Sequence, residues 1–278
     1  MRGEKELECL NLVRNECTFK DCYGMNNDDW KLLQKELIDA KEGEDNNKFP
    51  DFIFENGFIE HFQVTSSKVT KNGAKHIKEL NEYHRETNKK FEQFKNNCIE
   101  NPLTSQGYSV QTEMHFPNHC YDYLKQSIVK NFENHIKSLE RYDGSKDIGI
   151  FLVEYSDDAI AMNVTNMTEE IIKKVNVGKI KRKIVGYNPS YDREMLKYLY
   201  TFKDKLKYII WVNHSFRRNE KAKGLATLYL YPYYDISMIK IENIPSILQN
   251  MTIDYSIDSI EGCLVSKCSH VYSLKETL

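Results

Sequence analysis

Two unbroken apolar runs, Gly149-Ile150-Phe151-Leu152-Val153 and Tyr208-Ile209-Ile210-Trp211-Val212, constrain the architecture of this chain more than any other feature. A strand that is apolar at every position, with no polar alternation, is covered on both faces. Helices must therefore flank the sheet that holds these strands. Leu124, Ile128, Phe132, Ile136 and Leu139 recur at helical spacing and predict a helix over about 119–141, ahead of the first run. A shorter helix, about 191–202, precedes the second. Nearer the start, Leu7, Leu10 and Val13 form a stripe over Glu4 to Arg14. Asn27 or Asp28 can cap a further helix whose apolar face is Trp30, Leu33, Leu37 and Ile38 and whose stop is Gly43.

Between these helices lies Lys48-Phe49-Pro50-Asp51-Phe52-Ile53-Phe54-Glu55-Asn56-Gly57-Phe58-Ile59-Glu60-His61-Phe62-Gln63-Val64-Thr65-Ser66-Ser67. Asn56-Gly57 between two apolar runs predicts a β-hairpin with a tight type I′ turn. Pro50 imposes an extended approach, so Asp51 stands at the start of the first strand. Strand side chains alternate. Phe58, Glu60, Phe62 and Val64 fall on one face, and Ile59, His61, Gln63 and Thr65 on the other. The polar pair sharing a face is His61 with Gln63; joining Glu60 to Gln63 requires a bulge or a local twist. An ordinary solvated hairpin could carry the same residues, since Pro-Asp is also common turn chemistry.

Pro50-Asp51, the hairpin and the polar residues of its second strand resemble the core of the PD-(D/E)XK nuclease superfamily, over roughly residues 30 to 100. The resemblance implies a restriction-endonuclease-like fold: a mixed α/β (α+β) sheet flanked by helices. It also implies a metal-dependent endonuclease that hydrolyses phosphodiester bonds, with DNA as the expected substrate and a setting in restriction or phage defence. Asp51 matches the first acid of the motif. The second half departs from the pattern, because no lysine follows at the required spacing. Glu60 or His61 then takes the place of the second acid, and Gln63 replaces the lysine in orienting the attacking water. The implied ion is Mg²⁺ or Mn²⁺, held by Asp51 and Glu60, with Glu36 on the preceding helix as a further ligand and Glu44 behind it. Histidine in the acid's place would favour a softer metal. Lys68, just past the strand, is a displaced candidate for the lysine and for a phosphate contact.

Bulk charge does not mark a nucleic-acid binder, since the net charge of the 278 residues is -2 and the sequence pI about 6.5. Any such surface is local. Lys179, Lys181, Arg182 and Lys183 form one basic cluster, and Arg217, Arg218, Lys221 and Lys223 form another. A long helix over about 74–98 carries further lysines, but interleaved glutamates make it a solvated face. The tyrosine tract 229–234 could stack bases, although Pro232 fits an edge strand better.

Seven cysteines, an odd number, argue against a disulfide framework. Cys17-x4-Cys22 and Cys263-x4-Cys268-Ser269-His270 are looser than a zinc motif, so zinc is not expected. No apolar run reaches the ~20 residues of a membrane span, and the N-terminus has no signal-peptide core, so a cytoplasmic protein is expected. Gly-rich phosphate loops, GxSxG and HExxH are absent. The expectation is one elaborated domain over 1–278, with a nuclease-like core at about 28–215 and an extension at about 216–278. A homodimer is compatible with it. The competing expectation, motivated by the missing lysine, is a noncatalytic module that keeps the fold to bind nucleic acid or protein.

Overall fold

The structure is a computed structural model that describes residues 3–43, 48–68, 85–86, 89–93, 96, 106–115, 119–155, 157, 159–166, 182–218, 230–251, 253–259 and 262–271. The chain divides into two units. The first comprises Met1–Ser66, Cys120–Ser215 and Tyr234–Ser259, and the second Ser67–His119, Phe216–Tyr233 and Ile260–Leu278. These bounds differ from a core at 28–215 followed by an extension. The first unit reaches back to the first helix and forward to Ser259, because Ile236, Met238, Ile239, Ile241 and Ile244 complete its apolar core.

The first unit is a mixed α+β structure built on a seven-stranded sheet in the order β1-β10-β9-β6-β4-β3-β2. Its strands are β1 (Cys22–Tyr23), β2 (Lys41–Glu42), β3 (Phe52–Phe54), β4 (Gly57–Val64), β6 (Ile148–Tyr155), β9 (Tyr208–Arg218) and β10 (Leu230–Lys240). β2, β3 and β4 form an antiparallel meander, and β4, β6 and β9 run parallel. Both apolar runs are the expected central strands. Every residue of β6 is buried. Ile150 and Leu152 pack with α1 (Glu4–Glu16) and α2 (Asn27–Asp39), while Phe151 and Val153 pack with α3 (Tyr121–Arg141), α4 (Arg193–Tyr200) and α5 (Ile244–Asn250). Two core layers thus sandwich the sheet. A smaller sheet, β7 (Ile160–Asn166) between β8 (Arg182–Gly186) and β11 (Ile253–Ser259), adds Ile160, Met162 and Val164 to the α3 layer.

Caps fix the helix boundaries. α2 starts one residue before the expected cap: the Asn26 side chain accepts from the Asp29 N–H at 2.8 Å, and Asp29 accepts in return from the Asn26 N–H. Its far end is held by α1, whose Arg14 donates to the carbonyls of Leu37 and Ala40, each at 2.7 Å. The apolar face expected on α2 is displaced. Ile38 is 70% exposed whereas Glu36 is 2% exposed, between the buried Leu33 and Leu37.

The hairpin register also differs from expectation. Phe54 pairs with Gly57, so the two loop residues are Glu55 and Asn56, and Gly57 opens β4. Gly57 has no positive φ. Its lack of a side chain serves the next strand instead, because a Cβ there would stand 2.0 Å from the Ile148 carbonyl oxygen of β6.

Among the described residues of the second unit, β5 (Gln106–His115) pairs antiparallel with β12 (Gly262–Val271) along its whole length. Of the helix expected over 74–98, residues 85–86, 89–93 and 96 are helical, and the rest lies outside the described residues. No helix among the described residues is long and apolar enough to cross a membrane.

Candidate functional site

β4 distributes its polar residues to both layers, as alternation demands. Glu60 enters the α3 layer with Phe58 and Phe62, while His61 enters the α1 layer with Ile59 and Gln63, on the same face, stays exposed. No bulge brings Glu60 and Gln63 together: β4 runs in continuous register with β6 from Gly57 opposite Ile148 to Val64 opposite Tyr155. Gln63 stands ~10 Å along the strand from Glu60 at ~3.3 Å per residue.

On the α3 side, Glu60 is 6% exposed and both of its oxygens are engaged. His135 of α3 donates from Nδ1 to Oε1 at 2.7 Å, and the Asp51 backbone N–H donates to Oε2 at 3.2 Å. The His135 ring stacks on Phe62, with centroids 4.4 Å apart and planes 12° apart. This imidazole is therefore oriented by packing as well as by its hydrogen bond.

Asp51 occupies the strand entrance, as Pro50 implies. Its Oδ2 accepts from the backbone N–H of His61 at 2.8 Å. The carboxylate is thus turned toward β4 and is half-buried. Burial, and then the negative charge of Glu60, push its pKa up to about 6 against the stabilising His61 N–H. Asp51, just ahead of β3, and Glu60 of β4 are two hard oxygen donors, the donor type suited to Mg²⁺ or Mn²⁺.

The α1 side holds a different set. Glu154, near the end of β6, accepts at Oε2 from His61 Nε2 at 3.0 Å and from Gln63 Nε2 at 2.8 Å. Cys9 of α1 closes the group. One ligand atom each from Cys9, His61 and Glu154 lie within 4.8 Å of one another, and all three residues are buried. Burial and the charge of Glu154 push the Cys9 thiol well above its usual range. This is a mixed sulfur, nitrogen and oxygen set. Gln63 is an exposed residue whose amide is spent on Glu154.

Glu36 is pushed up by burial, and the charges acting on it are Lys35, Asp39, Glu55 and Lys207. None of the other expected ligands is among them. Lys68 is exposed and belongs to the second unit. Arg217 and Arg218 end β9, but their side chains lie outside the description; Lys221, the cluster at 179–181 and Glu44 lie outside the described residues. Cys17 and Cys22 are free thiols, and the side chains of Cys263, Cys268 and His270 lie outside the description.

Two members of these networks, Cys9 and His135, escape a reading of the sequence for ligands. Glu154 gives a partial signal, as an acid ending an apolar run. His135 sits beside the α3 stripe without standing out from it, and Cys9 looks like a small core residue. Compared with protein-family models, with curated proteins and with solved structures, the chain matches none.

Proposed function

We propose that this chain is a metal-dependent nuclease of the PD-(D/E)XK type that hydrolyses phosphodiester bonds in nucleic acid, DNA being the expected substrate. One observation carries the reading: Asp51 follows Pro50 at the hairpin entrance, turned toward β4 beside Glu60, and burial and then the charge of Glu60 raise its carboxyl. Two carboxylates crowded in this way favour occupation by a cation. The surrounding order of α2, β2, β3, β4, α3 and β6, with β4 parallel to β6, supports the same reading.

A bound divalent ion would supply phosphate polarisation and a water of lowered pKa. Asp51 and Glu60 are the residues to hold Mg²⁺ or Mn²⁺. The backbone N–H of His61 aims the Asp51 carboxylate, and His135 aims that of Glu60. With no lysine on β4, His135 is an imidazole held against this pair by its hydrogen bond to Glu60. The restriction or phage-defence setting rests on the family resemblance.

A second reading has its own support. Both oxygens of Glu60 and one of Asp51 already accept hydrogen bonds from the protein, as a fold kept without catalysis would arrange them. Such a module would bind nucleic acid or protein without cutting. The test is cleavage of plasmid DNA and of a mixed RNA substrate with Mg²⁺ or Mn²⁺, comparing the native chain with Asp51→Ala. Cleavage lost in the variant supports the nuclease. Tight binding without cleavage by either protein selects the module, and equal cleavage by both removes this hairpin from the chemistry.

A further inference from the structure

The layer between α1 and the sheet is apolar, lined by Leu10, Leu33, Ile59, Ile150 and Leu152, all fully or almost fully buried. Into it project a thiol from α1, an imidazole from β4 and a carboxylate from β6, from residues 4%, 8% and 7% exposed. A carboxylate buried among aliphatic side chains is costly unless its charge is compensated. Two donors, His61 and Gln63, already converge on Glu154 Oε2. A core that needed only a satisfied carboxylate could stop there, but Cys9 adds a third metal-ligating atom from a third element.

We infer that Cys9, His61 and Glu154 form a binding site for one thiophilic divalent cation of the zinc class. The spacing supports this. Donors at 2.0 to 2.3 Å from a tetrahedral ion are separated by ~3.3 to 3.8 Å. Here the His61 to Glu154 separation is 3.0 Å and the three ligand atoms span at most 4.8 Å, so small rotations bring the set into range. A thiolate selects a softer ion than Mg²⁺, and three protein ligands leave a fourth position open. Gln63, donating to Glu154 Oε2, is a positioning residue for the carboxylate ligand. Loading forms sulfur–metal, nitrogen–metal and oxygen–metal bonds: the Cys9 S–H bond breaks and its proton goes to solvent, while the His61 Nε2–H bond to Glu154 is given up and its proton moves through solvent to Nδ1, leaving a neutral imidazole; no oxidation is involved.

This site is separate from the Asp51–Glu60 pair and does not rest on the nuclease reading. The two meet at His61, whose ring serves one and whose backbone N–H serves the other.

The experiment is titration of the chelator-stripped full chain with Co²⁺ as a spectroscopic probe, followed by displacement with Zn²⁺. One equivalent of Co²⁺ bound with a thiolate-to-cobalt absorption band, bleached by Zn²⁺, is expected. Cys9→Ser should lose the band, His61→Asn should weaken affinity by at least ~10-fold, and Cys120→Ser, at the N-cap of α3, should change neither. Far-ultraviolet circular dichroism establishes that each variant is folded. The native chain alone is decisive if Cys9→Ser does not fold, because absence of a thiolate band there overturns the site. A band that persists in folded Cys9→Ser, or unchanged affinity in His61→Asn, overturns it equally.

Discussion

Glu60 and His61 are consecutive in the chain yet serve opposite layers of the molecule. Glu60 accepts from His135 at 2.7 Å on the α3 side, and His61 donates to Glu154 at 3.0 Å on the α1 side. One strand thereby supports two polar networks, Glu60 in one and His61 in the other.

For the acid pair, Asp51→Asn and Glu60→Gln keep shape while removing charge. Each should lower Mg²⁺-dependent or Mn²⁺-dependent cleavage by ~100-fold or more if these oxygens hold the ion. Initial rates on plasmid DNA, with far-ultraviolet circular dichroism to confirm folding, check this; a variant that cuts at the native rate rejects the assignment.

Asp51 also predicts a pH dependence of stability. Burial, and then the charges of Glu60 and Glu6, raise its native pKa to about 6 against the lowering action of His61. The native state therefore binds more protons than the unfolded chain from about pH 4 to about pH 6, and this group's contribution falls as pH rises through that window. By pH 7 the ionised carboxylate should cost on the order of 1 to 2 kcal/mol, allowing for partial solvent screening. Urea unfolding at pH 4 and pH 7 should show Asp51→Asn gaining on the native chain only at the higher pH. Equal differences at both would mean the carboxyl is not perturbed.

His135 couples Glu60 to the stacked face of Phe62. Its replacement by Ala should cost about 2 to 3 kcal/mol, through an unsatisfied buried carboxylate and lost ring contact. His135→Phe restores the stacking alone and should recover only part of that loss. Full recovery, measured by urea midpoints, would show that the hydrogen bond contributes nothing.

Gly57→Ala should destabilise by about 2 to 3 kcal/mol, since the added methyl would meet the Ile148 carbonyl at 2.0 Å. Asn56→Ala, in the loop itself, should cost less than about 1 kcal/mol. The reverse ranking in thermal melts would return the turn to Asn56-Gly57.

Much of the fold was legible because it is written in local periodicity. The unbroken runs at β6 and β9 and the stripe of α3 each carry their pattern within one element. The hairpin was legible too, but its register was off by one, because a glycine needed for the approach of β6 looks the same in sequence as a glycine needed for a turn. Ile38, expected on the apolar face of α2, is exposed for a similar reason: the buried Glu36 breaks the apolar count that phases a helix. For the candidate site, Pro50-Asp51 marked the strand entrance and alternation placed Glu60 and His61 on separate faces. Pairing His61 with Glu154, 93 residues away, requires the strand register, and adding Cys9 requires the packing of α1; neither is encoded in any local spacing.

The clamp of Arg14 on the last carbonyls of α2 has a consequence for access. α1 carries Cys9 over the His61–Glu154 group and is bolted to α2 by two hydrogen bonds from one guanidinium. Detaching that helix would admit water to the sulfur, imidazole and carboxylate without unfolding the parallel strands beneath them. Hydrogen exchange along α1, and the reactivity of Cys9 toward a thiol reagent, would then rise together, and Arg14→Ala, which removes both bonds, should raise the two in parallel.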